Sequence, residues 1–302
     1  MKKWFFVCCV AVSLFVVSCG NQETSYDESI EIESPVASES LQEISEESSK
    51  EQSANVENEP DERVLQVKNP SWEYYVKEDI ESYSSSTVHL ELMKEEANNI
   101  TDVESWVQEH DVSIPQIPYG DEKYFYEYVR DSYPLIKLLI RDAASGETLF
   151  TVDFTDFSIP DECNEEYADF VNEGIRYAKI QDQVLYVATG HNTYTEWAPH
   201  NGYITAVDLE SGEVLWKTEP QICNSDNFEI IGDSIVCGYG FTSENDYLYV
   251  LNKADGKWIE RIPVASAVDY IVRKENTLYV RTYNTDYEFS VWNSDGTDEV
   301  EN

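Results

Sequence analysis

The chain has 302 residues and is strongly acidic, with 60 Asp and Glu residues against 20 Lys and Arg residues and a formal net charge of −40. Binding to the phosphates of DNA or RNA needs clustered basic side chains, so this charge excludes nucleic-acid partners and disfavours anionic lipid surfaces. Two interpretations of the charge stay open: attraction of cations or basic polymers, and simple solubility of a dispersed protein.

The first element is a basic and apolar segment at the N-terminus. Two lysines precede an apolar run from Trp4 to Val17, which is too short to span a membrane permanently, and Cys19 follows. The segment resembles the signal peptide and lipobox of bacterial lipoproteins. The resemblance implies cleavage before Cys19 and acylation of Cys19, and hence a chain held at the extracytoplasmic face of the cell membrane by its lipid alone. An ordinary signal peptide with an incidental cysteine is the alternative.

An acidic segment follows the signal. Residues 21–62 contain fourteen acidic residues, one lysine, many serines and no apolar periodicity. Such a composition cannot bury enough apolar surface to offset the entropy of the chain. We therefore predict residues 1–19 to be the signal peptide, 20–68 a disordered acidic tether rich in Ser and Glu, and 69–302 the folded domain.

A repeated turn organises the folded domain. The first three copies begin with Asp or Asn and have Gly four positions later, and the two best copies end on an aromatic residue. The copies are Asp142, Gly146 and Phe150; Asp208, Gly212 and Trp216; a weaker one at Gly256; and a partial one at Gly296. Asp at the start and Gly at the end supply the positive φ that a tight hairpin needs.

Short apolar or alternating strands flank these turns. The strands before the turns are Leu135–Ile140, Tyr203–Val207, Tyr247–Leu251 and Tyr287–Val291. Two further strands lie upstream in each unit, which gives four strands in roughly 40–45 residues, the size of a propeller blade. The last blade lacks a fourth strand after Gly296, so we expect Trp72–Val76 or Val88–Leu92 to complete it.

The turn motif also carries a family resemblance. The pattern formed by Ala206, Asp208, Ser211, Gly212 and Trp216 resembles the PQQ-like β-propeller repeat, whose members include quinoprotein dehydrogenases and a lipoprotein scaffold of outer-membrane protein assembly. The resemblance implies an all-β fold, a β-propeller of about four to five PQQ-like four-stranded blades with short helical insertions. It also implies that Trp216 packs between adjacent blades.

Two helical insertions are predicted. Thr101 and Glu104 have the spacing of a capping box, which predicts a short helix through Trp106. A second helix is expected from Asp161 to Asn172, behind a proline and ahead of Gly174.

Three cysteines remain in the folded domain. Cys163 and Cys223 lie in predicted loops, whereas Cys237 lies in an apolar strand, where a buried thiol packs as a small hydrophobic group. A bridge between Cys163 and Cys223 stays open, because sequence cannot give the distance between their Cα atoms.

The two longest irregular segments, residues 155–174 and 190–202, are expected to emerge on the same face of the propeller. Long loops on a rigid scaffold are where binding residues concentrate. The candidate binding face therefore comprises Asp161, Glu165, His191, Tyr194, Glu196, Trp197 and His200.

The chemistry of this face favours binding. The histidines and carboxylates are metal-ligating types, but their spacing matches no zinc motif and no calcium loop, so we predict no metal and no cofactor. Tyr194 and Trp197 suit a protein hot spot or a sugar ring.

No catalytic residues are predicted, because nucleophile elbow, zinc-protease and phosphate-loop motifs are absent from the sequence. The expected function is a membrane-anchored binding or scaffolding protein of the cell envelope, with a protein partner favoured over a glycan. The alternatives are an extracytoplasmic enzyme and a sensor or solute-binding component. A charged cluster in the propeller channel would favour the enzyme, and an aromatic and apolar rim would favour partner binding.

Overall fold

A computed structural model describes residues 63–70, 75–76, 88–130, 134–160, 162–168, 170–193, 200–241 and 244–293. The signal peptide with Cys19, most of the predicted tether and the fourth turn at Gly296 lie outside the described residues. Within them the chain forms eighteen strands, the helix α1 (Val103–His110) and one 3-10 turn (Thr155–Phe157).

In chain order the strands are β1 (Arg63–Gln66), β2 (Tyr75–Val76), β3 (Val88–Ala97), β4 (Tyr119–Gly120), β5 (Tyr124–Tyr128), β6 (Lys137–Asp142), β7 (Thr148–Asp153), β8 (Gly174–Gln181), β9 (Val184–Gly190), β10 (Tyr203–Asp208), β11 (Val214–Lys217), β12 (Glu229–Ile231), β13 (Ser234–Tyr239), β14 (Tyr247–Asn252), β15 (Trp258–Pro263), β16 (Val268–Lys274), β17 (Thr277–Thr282) and β18 (Thr285–Asn293).

These strands form four sheets. Blade 1 is β4 to β7, blade 2 is β8 to β11 and blade 3 is β12 to β15, each built from consecutive antiparallel strands. Blade 4 is β16, β17 and β18 together with β3. The chain is an all-β propeller with four blades, and the prediction of four-stranded blades is confirmed.

The N-terminal strands join blades that lie far away in sequence. β3 pairs antiparallel with β18, with Leu90 opposite Val291, so the expectation that residues 88–92 complete the last blade is confirmed. The alternative, residues 72–76, does not complete the last blade. Its described part, β2, pairs with β11 at the outer edge of blade 2.

The folded part begins earlier than residue 69. β1 pairs parallel with β7 and extends blade 1 to five strands. Leu65 and Val67 are buried, and Leu65 belongs to the core between blades 1 and 2. The prediction of a disordered tether over residues 20–68 is therefore wrong for residues 63–66, which form a strand whose Leu65 is buried in the core.

The repeated turns share one geometry. The Oδ1 atom of Asp142 accepts hydrogen bonds from the backbone nitrogens of Ala144 and Ser145, and Asp208 does the same for Glu210 and Ser211. In each copy the glycine four positions later has φ between 70° and 77° and donates its N–H to the carbonyl of the first residue.

The divergent third copy keeps this geometry with other side chains. The Oδ1 atom of Asn252 accepts from Ala254, as the aspartates do in the other copies. Asp255 replaces the serine, and its Oδ1 accepts from the backbone of Lys257 at 3.1 Å, just as the Ser211 hydroxyl accepts from Glu213 at 3.2 Å. Conserved hydrogen bonding therefore explains why the third turn forms although its sequence departs from the motif.

Three hydrophobic clusters hold consecutive blades together: one between blades 1 and 2, one between blades 2 and 3, and one between blades 3 and 4. Trp216 of blade 2 lies in the second cluster, and its Nε1 donates to the carbonyl of Lys253 in blade 3. The prediction that Trp216 packs between adjacent blades is confirmed. Phe150, its counterpart in blade 1, is half-buried against the first cluster.

The helix α1 packs on blade 4. Its N-cap is Asp102, whose Oδ1 accepts from the backbone of Ser105 at 3.0 Å, so the predicted capping role of Thr101 was wrong by one residue. Trp106 is buried, and the His110 ring lies 4.4 Å from the ring of Tyr279. Lys274 Nζ donates to the carbonyls of His110 and Asp111, which neutralises the C-terminal end of the helix.

Two other local predictions differ from the structure. The described residues between Glu162 and Asn172 form turns and irregular backbone rather than the expected helix, and the backbones of Tyr167 and Phe170 donate to residues three positions earlier. Cys163, Cys223 and Cys237 are all free thiols, so no bridge links Cys163 to Cys223 in this structure.

Candidate binding face

Two kinds of segment emerge at the same end of each blade: the loop from the second to the third strand, and the connection from the fourth strand to the next blade. In blade 2, Gly174 at the start of β8 and Gly190 at the end of β9 are directly paired. His200 Nδ1 lies 3.6 Å from Glu162 Oε2. The structure therefore brings together the described residues of segments 155–174 and 190–202. We call these residues, together with the cavity-lining Pro134, Leu135 and Asp226, the loop face.

The sequence-predicted residues of this face have different environments. His191 is buried, His200 contacts Glu162, and Glu165 is exposed. Four more predicted residues lie outside the described part of the chain: Asp161, Tyr194, Glu196 and Trp197.

A cavity of about 520 Å³ opens at the loop face. Blades 1, 2 and 3 and the residues before β4 all contribute to its wall. The lining residues are Gln116, Ile117, Tyr128, Pro134, Leu135, Asn172, Gly174, Ile175, Arg176, Gly190, His191, Asn192 and Asp226.

Arg176 is the basic residue of this cavity. It lies on β8, the innermost strand of blade 2, and its Nη1 is 3.3 Å from Asp226 Oδ1 in the connection to blade 3. Its Nη2 donates to Asn192 Oδ1 on the loop that follows β9. Burial raises the pKa of Asp226, and the Arg176 guanidinium partly offsets that rise. The ion pair thus joins two blades at the mouth of the cavity.

Gly190 makes room for Arg176. A Cβ atom at position 190 would lie 3.1 Å from Asn201 Oδ1 and 3.3 Å from Arg176 Nε. A side chain there would push against both groups, so the close approach of the backbone favours glycine.

His191 belongs to the framework of the loop. Its Nδ1 accepts from the backbone of Thr193 at 3.1 Å, and Asn201 hydrogen-bonds both its N–H and its carbonyl. Burial lowers the pKa of His191 to about 4, so the imidazole is neutral at pH 7. Asn201 therefore ties together the two ends of the loop between β9 and β10 through its hydrogen bonds to the backbone of His191.

A second ion pair, farther along β8 than Arg176, also joins blade 2 to blade 3. Lys179 Nζ on β8 is 3.6 Å from Glu229 Oε2 on β12. Burial raises the pKa of Glu229, and Lys179 opposes that rise. Burial and the nearby Asp226 raise the pKa of Asp269 on β16 to about 6. The charges that converge here are mostly opposite pairs between blades, which is the arrangement expected of interblade contacts.

The sequence-predicted residues of this face do not include Arg176, Asp226 or Tyr128. One signal for Arg176 was present, since a charged residue inside an apolar strand is unusual unless that strand faces a polar channel or cavity. Asp226 lies in an irregular segment whose course depends on blade-to-blade packing, so it carried no comparable signal.

The rim of the loop face is apolar and exposed. Leu135 is 45% exposed, Ile159 51% and Phe170 53%. Leu135 is tied to the cavity wall, since its carbonyl accepts from the backbone of Ile175 at 2.9 Å. The backbone of Glu173 donates to Ser158, which holds the neighbouring Ile159 beside the start of β8. Exposed apolar side chains grouped on one functional face are typical of interaction surfaces.

The described residues were also compared with the requirements of a membrane span and of a metal site. They contain no helix that is both long and apolar enough to cross a membrane. They also contain no group of three or more His, Cys, Asp or Glu side chains arranged to hold a metal ion.

No protein-family model and no curated protein matches the chain. Among solved structures, BamB from Moraxella catarrhalis is 15% identical over 58% of each chain, with a TM-score of 0.34, so the match spans about 58% of that protein's length. The computationally designed Ika4 protein is 11% identical over 60% of this chain and 86% of its own, with a TM-score of 0.32.

A chain of a Mitotic Checkpoint Complex structure is 15% identical over 60% of this chain and 49% of its own, with a TM-score of 0.36. These similarities are too low to assign the chain to a family. Its propeller fold is established by the pairing of its own strands.

Proposed function

We propose that this protein is a lipid-anchored, extracytoplasmic binding or scaffolding protein that uses the loop face of a non-catalytic, PQQ-like propeller to bind protein partners of the cell envelope. One observation carries the proposal: Leu135, which lines the cavity, and Ile159 and Phe170, on the segment that leads into β8, are exposed apolar side chains of the loop face. Apolar side chains surrounded by polar ones are the usual composition of a protein-binding surface.

The electrostatics of the cavity support binding rather than acid–base chemistry. Arg176 is neutralised by Asp226, and His191 is neutral at pH 7, so the cavity presents matched charges. The chain as a whole is strongly acidic, which favours a neutral or basic partner and repels an acidic one. A glycan is the second ligand class, and it would depend on stacking surfaces such as Tyr194 and Trp197, which lie outside the described residues.

The anchor is supported by the sequence around Cys19. In this proposal residues 1–19 are the signal peptide, an acidic tether follows, and the propeller begins at β1. Replacing Cys19 with serine should release the protein from the membrane fraction or leave the signal uncleaved, because acylation needs the thiol. Fractionation that finds the serine variant processed and still anchored would refute the lipobox assignment.

The binding role is tested with two matched substitutions. Phe170→Asp places a charge on the rim of the loop face, and Met93→Asp places the same charge on β3, where Met93 is 58% exposed. The full chain, purified in mild detergent, is used to capture partners from envelope extract. Phe170→Asp should weaken capture by roughly tenfold or more, the effect of losing an interface anchor, and Met93→Asp should capture normally. Equal capture by both variants would mean that the loop face is not the binding surface.

A further inference from the structure

Two cysteines of blade 3 lie side by side in the folded protein. Cys223 belongs to the connection from β11 to β12, and Cys237 belongs to β13. Both side chains are fully buried in the cluster between blades 2 and 3. Cys163, the third described cysteine, lies in a different segment on the loop face and is partly exposed.

Two hydrogen bonds at the residues that flank Cys223 bring these cysteines together. Cys237 Sγ is 3.4 Å from the carbonyl of Ile222, the residue before Cys223. The backbone N–H of Asn224, the residue after Cys223, donates to the carbonyl of Gly238 at 2.9 Å. These contacts place the two cysteines on adjacent backbone segments, and a disulfide spans Cα separations of about 4.4–6.8 Å.

The two thiols also interact directly. A hydrogen bond with Cys237 lowers the pKa of the Cys223 thiol. Burial raises the pKa of Cys237, and the contact with Cys223 raises it further. The lower pKa makes Cys223 the better thiolate and hence the better nucleophile of the pair.

We propose that Cys223 and Cys237 form a disulfide that fastens the connection between blades 2 and 3 to strand β13. Two S–H bonds break and one S–S bond forms, and the two electrons pass to a disulfide oxidant such as oxidised glutathione. The Cys223 thiolate attacks the oxidant and releases one thiol, and Cys237 then attacks the Cys223 sulfur and releases the second. Because both side chains are buried, the exchange takes place before the connection has docked onto β13.

The bridge would fix part of the loop face. The fastened connection carries Asp226, which pairs with Arg176 at the mouth of the cavity. Oxidation therefore links the geometry of the cavity to the redox state of the compartment. In cells this step rests on the extracytoplasmic location proposed above, because thiols stay reduced in the cytoplasm.

The test counts thiols by peptide mass spectrometry. Cys223 and Cys237 fall in a single tryptic peptide, residues 218–253, whereas Cys163 falls in residues 142–176, which serves as an internal control. The full chain is reduced in denaturant, refolded with a mixture of reduced and oxidised glutathione, and alkylated in denaturant. The 218–253 peptide should be unalkylated and two hydrogens lighter, and Cys163 should be alkylated.

Serine variants distinguish a disulfide between Cys223 and Cys237 from one that involves Cys163. Cys163→Ser should give the same light 218–253 peptide, and Cys237→Ser should leave Cys223 free for alkylation. The oxidised wild type should melt about 5–10 °C above its reduced form, and the double variant with serine at positions 223 and 237 should show no such redox dependence. Two alkylated cysteines in the 218–253 peptide after oxidative refolding, or a link from Cys223 to Cys163, would overturn the proposal.

A second experiment separates the test of the disulfide from the test of the extracytoplasmic location. Cells that make the full chain are lysed directly into alkylating agent, and the same peptide is measured. A bridged peptide in this sample supports both the disulfide and the extracytoplasmic location. A peptide that is bridged after refolding but alkylated in cells would leave the chemistry of the pair intact and contradict the proposed location.

Discussion

At the scale of single residues, Trp216 shows how the repeat motif determines packing. Its side chain is 1% exposed, and its ring fills the space beside Gly256 on the facing turn of blade 3. Trp258 follows the corresponding turn of blade 3 but is 41% exposed and donates its Nε1 to Glu219. The same residue type is therefore a core residue in one blade and a surface residue in the next.

This difference gives a matched pair of substitutions. Trp216→Ala removes a buried ring and leaves a cavity between two blades, so it should lower the free energy of unfolding by about 3–5 kcal/mol. Trp258→Ala removes a partly exposed ring from an outer strand and should cost clearly less, about 1 kcal/mol. Denaturant unfolding of both variants measures the contrast, and equal losses would contradict the assignment of Trp216 to the interblade core.

Gly256 is required for two reasons that can be separated. Its φ is 70°, and a Cβ atom would lie 2.4 Å from Cε3 of Trp216. Gly146 has nearly the same φ of 75°, but a Cβ atom there would meet nothing within 4 Å. Both positions are strained for alanine, and one of them is also sterically blocked.

We expect Gly146→Ala to cost about 1–2 kcal/mol, the strain of a left-handed backbone, and Gly256→Ala to cost about 1–3 kcal/mol more because the Trp216 ring must move. Thermal or denaturant unfolding of the two variants gives the difference. If the two alanine variants are equally stable, the close approach of Trp216 to Gly256 is not as the structure has it.

The protonation of His191, on the loop face, makes the stability of the protein depend on pH. Its pKa is about 4 in the folded protein, below the ordinary value near 6.5, so the unfolded chain binds a proton in this interval that the folded chain does not. The stability that depends on neutral His191 is complete above pH 6.5 and is lost as the pH falls from 6.5 to 4. His191→Gln should remove about 1–3 kcal/mol of this pH dependence.

Unfolding of wild type and His191→Gln between pH 4 and 7.5 measures this difference, and NMR titration of the imidazole gives its pKa directly. An imidazole that titrates near 6.5 in the folded protein would show that His191 is accessible to water.

At the scale of elements, the sequence predicted most of the sheet because each blade repeats the same local signals. The strands before the turns were found within a few residues, since Asp208 and Gly212 mark the end of one strand and the start of the next. The third turn was predicted although its sequence departs from the motif. The structure shows why it forms: Asn252 and Asp255 make the same hydrogen bonds as the motif residues.

The errors arise where long-range contacts outweigh local pattern. β1 lies at the end of a polar segment, and its few apolar residues form a strand by pairing with the distant strand β7. Residues 162–172 have helical composition, but the backbone of Glu173 is held by Ser158, which fixes a turn instead. The cavity was not predicted, because Arg176 and Asp226 meet only through the packing of blades 2 and 3.

At the scale of the whole molecule, a strand from the N-terminal part of the chain and the last described strand meet in blade 4. β3 comes from the N-terminal part and pairs along its length with β18, which ends the described chain. Val88 is buried in the cluster between blades 3 and 4, whereas Met93 on the same strand is exposed. The fourth blade is therefore complete only when the N-terminal strand is in place.

Aspartate substitutions at a buried and at an exposed position of β3 test whether this strand completes blade 4. Val88→Asp would bury an unpaired carboxylate and should lower the free energy of unfolding by more than about 3 kcal/mol. Met93→Asp should change it by less than about 0.5 kcal/mol. Similar stability of the two variants, measured by denaturant unfolding, would mean that β3 does not complete the blade.

The central claim is that the loop face is the binding surface of this propeller. Hydrogen–deuterium exchange of the full chain, alone and bound to the partner it captures from the envelope, tests this claim most directly. We predict slower exchange in residues 155–174 and 190–202 on binding, with the repeated turns at 142–146, 208–212 and 252–256 unchanged. Protection of those turns, with no change in the loop face, would contradict the account.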